Sequence, residues 1–336
     1  MTKHLHVLSN SLYDETYPAS WFAVAPSRLL RKRARLPIDA FGQRLVVWRD
    51  EEGTAHVQQR FCPHMGASLA CGDVEGTRIV CPFHRWEFEV DGACVRIPYM
   101  PEARIPKRAR IETFPAVEQC GQIWAFNGPA PTHELPLLPE YGAKGFGIRS
   151  KTQRFNAHPL LVLENGCDAQ HFKYVHKVDF EHYEVKNTRE EAHGFAFDVV
   201  QAIRTPMGNQ AISITTSISY VGASLIYGRL ERAGDLLATF IAAPTPVAPN
   251  VTDFTLIVAV KSLPWFLWPL NPFYHSFLAR QLFTGATDDY LPVWRDMDPR
   301  HRGVLVAEDA LQQRFRKYYR AHLPAPEALA LENAAE

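Results

Sequence analysis

The chain has 336 residues, of which 46% are hydrophobic and 21% are charged. This length suggests two domains, and this composition is typical of a soluble globular protein. Basic and acidic residues balance at 36 each, so the overall charge gives no reason to expect a nucleic-acid partner. The sequence holds no run of about eighteen apolar residues, so we expect no membrane span.

The cysteines and the N-terminus indicate a compartment. The first residues, MTKHLHVLSNS, lack the apolar segment of a signal peptide. The chain has six cysteines, and their local partners are histidines, which favours metal ligation in a reducing compartment over disulfides. We therefore expect a cytoplasmic protein.

Residues 20–60 contain two segments typical of short strands, WFAVA and RLVVWRD. A basic cluster separates them, made of Arg28, Arg31, Lys32, Arg33 and Arg35. We interpret this cluster as a solvated face, and docking of an acidic electron donor is the functional alternative.

Two short loops, FCPHMG and CPFHRWEF, each combine one cysteine with one histidine. Cys62 and His64 form C-x-H, and after sixteen residues Cys81 and His84 form C-x2-H. Zinc also binds two Cys and two His, but zinc fingers place both cysteines in one half of the motif. Two mixed halves are typical of a Rieske [2Fe–2S] cluster, where two cysteines bind one iron and two histidines the other. The spacing therefore predicts a Rieske cluster.

The second loop leads into WEFEV and ACVRIPY, two alternating segments joined by Asp91-Gly92, which predicts a β-hairpin. An all-β domain that presents two ligand loops is the implied architecture. Cys71, Cys94 and Cys120 lack a partner at ligand spacing, and we expect them to be small buried residues.

A second motif follows a Pro- and Gly-rich stretch at 128–142, which reads as an interdomain connector. In ENGCDAQHFKYVH, residues 164–176, the acid Asp168 precedes His171 and His176. Two imidazoles and a carboxylate are the donors of a facial triad that binds Fe(II). On one α-helix His171 and His176 would lie about 140° apart, so the helix must end between them or contain a π-bulge. The alternative is an amphipathic helix with incidental histidines.

The rest of the chain predicts an antiparallel sheet followed by helices. Strand patterns occur near 193–203, 210–221, 224–231, 236–243 and 251–260. The uncharged, aromatic segment 262–278 is interpreted as core or subunit interface, with a pocket entrance or membrane-surface contact as alternatives.

A helical pattern over about 276–297 carries Asp288 and Asp289, and a basic helix is expected over 307–321. No GxGxxG or Walker motif occurs, so electrons would come from another protein.

Taken together, C-x-H-x16-C-x2-H and E-N-x-x-D-x-x-H-x4-H resemble the motifs of terminal oxygenases in Rieske non-heme iron systems. The resemblance covers roughly residues 18–322 and implies an α+β fold, with an all-β Rieske domain before a helix-grip catalytic domain, an antiparallel sheet around a long helix. The expected division is an N-terminal extension (1–17), the Rieske domain (18–128), a linker (129–141), the catalytic mononuclear iron domain (142–322) and a tail (323–336).

The resemblance also implies roles for individual residues. The expected cluster ligands are Cys62, His64, Cys81 and His84, and the expected iron ligands are His171 and His176. Asp168 would bridge to a cluster histidine of a neighbouring subunit, so that the working unit is a head-to-tail homotrimer. The family's third iron ligand is a carboxylate on a C-terminal helix. That register falls on Tyr290, with Trp294 as the anchor, so we choose Asp289 and keep Asp288 in reserve.

One position departs from the family pattern, since Arg85 follows the second cluster histidine where most members have Gly. The departure questions the local backbone shape and the docking of an electron donor, though not the ligation of the cluster.

The motifs look closest to those of the 3-ketosteroid 9α-hydroxylase and cholesterol desaturase group and of aminopyrrolnitrin oxygenase. The implied function is oxidation, first of all hydroxylation, of a hydrophobic cyclic compound with O2 and electrons from a ferredoxin or an NAD(P)H-dependent reductase. N-oxygenation of an arylamine, desaturation and oxidative cyclisation are alternatives that use the same site. A Rieske electron carrier or a zinc-stabilised binding module are more distant alternatives.

Overall fold

The computed structural model describes residues 16–176, 180–204, 211–286, 291–294, 297 and 304–324. The first half of the chain is all-β, apart from short 3-10 turns at Ser27–Leu29, Leu69–Cys71 and Glu102–Arg104. Its strands are β1 (Trp21–Pro26), β2 (Arg35–Ala40), β3 (Gln43–Arg49), β4 (Ala55–Gln59), β5 (Asp73–Glu75), β6 (Arg78–Val80), β7 (Glu87–Phe88), β8 (Cys94–Arg96), β9 (Thr113–Phe114), β10 (Ala116–Gln119) and β11 (Gln122–Phe126).

These strands form three small antiparallel sheets, with the orders β1-β11-β10, β2-β3-β4-β9 and β5-β6-β7-β8. The apolar run of β3 connects two cores because successive side chains of a strand point to opposite faces. Leu45 and Val47 pack into one core, while Val46 and Trp48 pack into the other, which also contains Cys62 and Cys81. Through this second core, β3 packs with the cysteines of the two ligand loops.

The hairpin predicted at Asp91-Gly92 joins β7 to β8. Gly92 has φ +83°, and the Ala93 backbone N–H donates to the Asp91 carboxylate at 2.9 Å. The prediction for the remaining cysteines is correct for Cys94 and Cys120, which are buried. It is wrong for Cys71, which lies at the end of a 3-10 turn and is exposed.

Residues 127–145, which contain the predicted linker, form no helix or strand. Side chains of the first half hold this segment: the Trp21 indole donates to the His133 carbonyl at 2.9 Å, and the Gln119 amide donates to the Pro136 carbonyl at 2.8 Å. The predicted division into domains has its linker at this place, and its boundaries stay a prediction.

The second half is built on one seven-stranded antiparallel sheet, as the fold class predicts. Its strands are β12 (Phe146–Phe155), β13 (Phe180–Glu191), β14 (Gly194–Arg204), β15 (Ala211–Val221), β16 (Leu225–Arg232), β17 (Asp235–Ala248) and β18 (Val251–Lys261). Their order in the sheet is β12-β18-β17-β16-β15-β14-β13. The strand patterns in the sequence correspond to β14–β18, although β17 continues further than its pattern indicates.

The helices of the second half are α1 (Pro159–Glu164), α2 (Ala169–Tyr174), α3 (Asn271–Ala286), α4 (Leu291–Trp294) and α5 (Ala310–Ala321), with 3-10 turns at Asn165–Cys167, Trp265–Leu270 and Ala307–Asp309. The basic helix expected over 307–321 is therefore present. No helix among the described residues is long and apolar enough to span a bilayer.

The sheet is buried on both faces at β18, the strand next to its β12 edge. On β18, Leu256 and Val258 belong to the core shared with α1, α3 and α5, whereas Ile257 between them belongs to a core shared with the first half. Trp21, Trp124 and Phe126 of the small sheets fill that second core. A strand with apolar residues on both faces is typical of a sheet covered on both sides.

An ion pair joins α1 to α5. The Arg316 guanidinium contacts both carboxylate oxygens of Glu164, with Nη2 at 2.9 Å from Oε2, and the Glu164 side chain is 6% exposed. Burial raises the pKa of Glu164, while Arg316 acts in the opposite direction. Beside the pair, the Phe315 ring packs on Tyr220 with the ring centroids 4.3 Å apart.

From the sequence, segment 262–278 is interpreted as core or subunit interface; the core interpretation is wrong for its first part, and the subunit interface stays a prediction. The side chains of Trp265, Phe266 and Trp268 are exposed. Only residues further along, such as Tyr274 and Leu278, pack against the helical core.

We expect Arg316→Met to destabilise the folded chain by about 3 kcal/mol, because it leaves the Glu164 carboxylate buried without a partner. The free energy of unfolding from urea titration measures this loss. Lys317→Met, an exposed neighbour on α5, is the matched control and should change it by less than about 0.5 kcal/mol. Equal stabilities of the two variants would contradict the role of the pair.

Candidate metal centres

The two predicted cluster loops have the same backbone design. In the first, the Gly66 N–H donates to the Cys62 carbonyl at 2.9 Å, and the Cys62 N–H donates to the Ala67 carbonyl at 2.9 Å. In the second, the Arg85 N–H donates to the Cys81 carbonyl at 3.2 Å, and the Cys81 N–H donates to the Trp86 carbonyl at 2.8 Å. Each loop therefore holds its cysteine in a tight turn and presents a histidine beside it.

Gly66 and Arg85 occupy equivalent positions in these turns. Their φ angles are +72° and +59°, so both are in the left-handed region. Glycine adopts it without strain, whereas an arginine does so at a cost. The Arg85 guanidinium contacts the carboxylates of Asp73 and Glu75 on β5, and these contacts hold the second loop against the sheet.

The four predicted cluster ligands come together. The ring centroids of His64 and His84 are 4.7 Å apart, and Trp86 stacks on His64 at 4.6 Å with an interplanar angle of 7°. Cys62 and Cys81 are both buried. Burial first, and then the neighbouring Cys81 thiol, raise the pKa of Cys62 to about 12.

This arrangement fits a bound cluster better than an apo protein. The His84 Nδ1 atom is buried and has no hydrogen-bond partner among the described residues. A buried polar atom without a partner is costly, and a metal bond would satisfy it. Two neighbouring buried thiols need a positive centre before they release their protons, and a metal supplies that charge.

The second motif forms a broken helix. The chain leaves the 3-10 turn at Asp168, which has an extended backbone (φ −97°, ψ 109°), and restarts as α2. The spacing of the motif requires either a helix end or a π-bulge between His171 and His176, and the structure has the helix end, because α2 stops at Tyr174. The His176 N–H even reaches the His171 carbonyl, five residues back, at 3.4 Å.

The ending of α2 brings the two imidazoles together. Their ring centroids are 5.1 Å apart, with an interplanar angle of 79°. His171 is buried, and this burial, with the charge of His176, lowers the pKa of His171 to about 3. The neutral imidazole is the form that binds a metal, so the pair suits a metal site.

Asp168 is the N-cap of α2. Its Oδ1 atom accepts hydrogen bonds from the backbone N–H of Gln170 at 2.8 Å and of His171 at 3.3 Å. Its Oδ2 atom lies 4.0 Å from His171 Nδ1, and the side chain is 25% exposed. One oxygen thus caps the helix, while the other lies beside the imidazole of His171.

The predicted third ligand, Asp289, and its reserve Asp288 lie outside the described residues, as does Tyr290. The anchor Trp294 is described: it is buried, and its ring packs edge-on against Phe155 with the centroids 4.7 Å apart. Among the described residues no three His, Cys, Asp or Glu side chains converge on one ion position. That result agrees with a cluster in which each iron has only two protein ligands. It also agrees with a mononuclear site whose carboxylate ligand lies outside the described residues.

The sequence did not reveal the residues that support these sites. The Tyr220 hydroxyl donates to the Leu163 carbonyl at 2.8 Å and accepts from the Cys167 thiol at 3.3 Å, which fixes the turn before Asp168. The Trp86 indole donates to the Tyr99 hydroxyl at 2.8 Å and so orients the ring stacked on His64. The position of Trp86 directly after the second loop is a sequence signal for its role beside the cluster ligands. No comparable signal in the sequence indicates the role of Tyr220.

Comparison with known proteins assigns a family to each half of the chain. The Rieske [2Fe-2S] domain profile matches residues 20–115, and the profile of the 3-ketosteroid 9alpha-hydroxylase C-terminal domain matches residues 123–322. The fold and the two motifs define a Rieske protein with an attached non-heme iron domain. The chain belongs to the Rieske non-heme iron oxygenases, with a catalytic domain of the 3-ketosteroid 9α-hydroxylase type.

The names of individual relatives refer to different reactions. Cholesterol 7-desaturase of Bombyx mori is 42% identical over 48% of this chain and 36% of its own length. Aminopyrrolnitrin oxygenase of Pseudomonas fluorescens is 26% identical over 92% of both chains. The oxygenase component of 3-ketosteroid-9-alpha-monooxygenase from Rhodococcus rhodochrous is 29% identical over 84% of this chain and 75% of its own. The match to the desaturase thus spans little more than a third of that protein.

Solved structures share the fold. Dicamba monooxygenase bound to dicamba superposes with a TM-score of 0.73 at 18% identity, covering 96% of this chain and all of the other. NdmA of Pseudomonas putida CBB5 with caffeine gives 0.72 at 22% identity, covering 92% and 90%. The expected architecture, a Rieske domain followed by an antiparallel-sheet catalytic domain, is confirmed.

The left-handed conformation of Arg85 leads to a prediction. Arg85→Ala keeps the strain and loses two surface ion pairs, whereas Arg85→Gly loses the pairs but relieves the strain. We expect the Ala variant to be less stable than the Gly variant by about 1 kcal/mol in urea unfolding. Both should keep the visible absorption of a Rieske cluster.

Gly66→Ala is the matched control at the equivalent position, since an added Cβ would meet open space there and only the φ angle opposes it. It should lose about 1 kcal/mol. An Arg85→Ala variant at least as stable as Arg85→Gly would show that the second loop has no such strain.

Proposed function

We propose that the chain is the terminal oxygenase of a multicomponent system, which uses O2 and electrons from a separate protein to oxidise a hydrophobic cyclic compound, most simply by hydroxylation. The observation that carries the proposal is the imidazole pair of the second domain. His171 and His176 lie with their ring centroids 5.1 Å apart, in the same chain as two cluster loops. An electron carrier would need only the loops.

The proposed ligands follow the motifs. Cys62, His64, Cys81 and His84 would bind the [2Fe–2S] cluster, and His171, His176 and Asp289 would bind the mononuclear Fe(II), with Asp288 as the reserve carboxylate. When bound, the cluster supplies electrons one at a time, and the iron supplies an open position for O2.

The surroundings of the imidazoles favour an apolar substrate. Val175, which precedes His176 in the chain, packs against the helical core, as do Leu161 and Tyr183. Such a lining would orient an apolar ring and exclude water from the reacting atoms. The names of the relatives, which refer to cholesterol, a 3-ketosteroid and aminopyrrolnitrin, describe cyclic and largely apolar compounds.

N-oxygenation of an arylamine is the second candidate, since the similarity to aminopyrrolnitrin oxygenase extends over 92% of both chains. Desaturation or oxidative cyclisation by the same site is a further alternative, and the similarity to cholesterol 7-desaturases supports desaturation. A Rieske carrier or a zinc-stabilised module is less well supported, because the second profile covers residues 123–322.

The electron donor would be a ferredoxin or an NAD(P)H-dependent reductase. Arg28, Arg31 and Lys32 are exposed beside the small sheets and could attract an acidic protein surface. Arg33 is partly neutralised, because it lies 3.5 Å from Glu51. The expected location is the cytoplasm: all six cysteines are described and free of disulfides, as in a reducing compartment.

Two proposals concern assembly and surfaces. The chain would form a head-to-tail homotrimer in which Asp168 contacts a cluster histidine of the next subunit, since heterologous contacts close into rings. The exposed part of segment 262–278 supports the membrane-surface contact considered from the sequence.

Metal analysis tests the ligand assignment. His171→Ala or His176→Ala should remove the iron that exceeds the two of the cluster, abolish turnover and leave the cluster spectrum intact. Asp289→Ala should do the same, and Asp288→Ala is its control. An active Asp289→Ala beside an inactive Asp288→Ala would move the third ligand by one residue. A preparation with zinc and no iron would contradict the oxygenase function altogether.

Asp168→Asn tests the route between subunits. Asn is also a good N-cap, so α2 and both metal centres should persist, while the charge-assisted hydrogen bond to the neighbouring histidine is lost. In single-turnover experiments with pre-reduced clusters, we expect cluster oxidation to slow by at least about tenfold, which corresponds to the loss of one hydrogen bond to a charged group. Light scattering should still show trimers.

Asp168→Ala, which removes the cap as well, separates the two roles of Asp168: it should in addition lower stability by about 1 kcal/mol. Wild-type rates of cluster oxidation in Asp168→Asn, or a fully active monomer, would contradict the route between subunits.

A further inference from the structure

A row of large apolar side chains projects from the end of the seven-stranded sheet. We call it the aromatic face, made of Trp265, Phe266, Trp268, Leu270, Phe273 and Phe277. Trp265 is 87% exposed, Trp268 71% and Phe273 78%. Soluble chains rarely expose a continuous apolar patch of this kind unless another surface covers it.

The aromatic face is held in place by hydrogen bonds. The Asn271 carbonyl oxygen Oδ1 accepts from the Leu263 N–H at 2.8 Å, and His275 Nε2 lies 3.1 Å from the Ser262 hydroxyl. The His275 ring packs directly on Gly147 of β12, where a Cβ would overlap it. The exposure of the aromatic residues therefore belongs to a built structure.

The helix α3 carries large apolar side chains on its outer side as well as its inner side. Tyr274, Leu278 and Ala279 face the core, while Phe273 and Phe277 are exposed beside the polar Ser276, Arg280 and Gln281. An amphipathic helix in water would carry only polar residues on its outer side. The mixed outer side of α3 is thus suited to an interfacial environment.

The charged residues of the segment that carries the aromatic face have one sign. From Phe254 to Ala286 the chain contains no Asp or Glu. Lys144, Lys261 and Arg280 are exposed at its margins. The Ser262 N–H donates to the Gly145 carbonyl at 2.7 Å, which brings Lys144 and Lys261 to the same end of the face.

This charge pattern indicates which kind of surface could cover the aromatic face. A second copy packed face to face would oppose lysines with lysines, and residues 254–286 offer no acid to pair with them. An anionic lipid surface is complementary, because aromatic side chains settle among the headgroups while Lys and Arg contact the phosphates.

We propose that the aromatic face docks on the surface of an anionic lipid bilayer. Trp265, Phe266 and Trp268 enter the headgroup region, and Lys144, Lys261 and Arg280 contact lipid phosphates. The chain then lies on the membrane without crossing it. The docking specifies the membrane-surface contact proposed above and does not depend on the oxygenase activity. A consequence for catalysis, access to an apolar substrate dissolved in the bilayer, does rest on that proposed activity.

Vesicle binding by the full-length chain tests the proposal. Vesicles of phosphatidylcholine alone and with about 30% phosphatidylglycerol are floated with the protein at low and at high salt. We expect binding to the anionic vesicles that weakens with salt. The triple variant Trp265→Ser/Phe266→Ser/Trp268→Ser should bind at least about tenfold more weakly, since it removes the apolar contact.

Lys144→Gln/Lys261→Gln should weaken binding to the anionic vesicles by roughly fivefold for each lysine and leave binding to neutral vesicles unchanged. Val304→Ser/Val306→Ser is the matched control, since these residues are also exposed and apolar but lie outside the aromatic face, and it should bind like the wild type. Circular dichroism and the cluster absorption establish that each variant is folded.

No vesicle binding by the wild type, or equal binding by the control and the triple variant, would overturn the proposal. Dissociation of an oligomer by the triple variant in light scattering would also overturn it and make the face a subunit interface. Iron content and turnover in detergent test the proposed function separately. An active enzyme that does not bind vesicles would therefore refute only the docking.

Discussion

The Asp168 carboxylate that caps α2 is the interaction on which the geometry of the His171–His176 pair, the candidate site of the mononuclear iron, depends. Because Asp168 has an extended backbone and its Oδ1 accepts the N–H groups of Gln170 and His171, the chain stops one helical segment and starts another. Without that break, the chain from α1 to His176 would continue as one helix and carry the two histidines to different sides. The cap therefore sets the direction of His171, and the early end of α2 turns His176 back toward it.

Buried contacts keep this short and otherwise marginal helix in place. A six-residue helix has little stability of its own, so the surrounding sheet must supply it. Tyr220 holds the Leu163 carbonyl and the Cys167 thiol, and Glu164 is held by Arg316 from α5. The same burial that makes these contacts strong also disfavours a charged imidazole at His171. One environment thus stabilises α2 and keeps His171 in the neutral form that can bind a metal.

The candidate cluster site depends on backbone turns instead of a helix. Gly66 and Arg85 close two equivalent loops through hydrogen bonds to the carbonyls of their cysteines. Arg85 shows that a left-handed position can hold a charged residue when carboxylates on a neighbouring strand bind its side chain. Beneath the loops, β3 divides its side chains between two cores and connects the cluster region to the rest of the first half.

The sequence alone determined what depends on local spacing and residue chemistry. The mixed Cys/His halves, the D-x-x-H-x4-H motif and the alternating strands of the second half each reflect short-range geometry, and the structure has these elements where the patterns placed them. Only the tertiary structure decided which apolar residues are covered: Trp265 and Trp268 are exposed and Tyr220 is buried, although all three are large aromatic residues. It also decided which distant charges meet, as in Glu164 with Arg316 and Arg85 with Asp73. Burial and long-range pairing depend on how the sheet and helices pack together. The periodicity of the sequence contains no information about that packing.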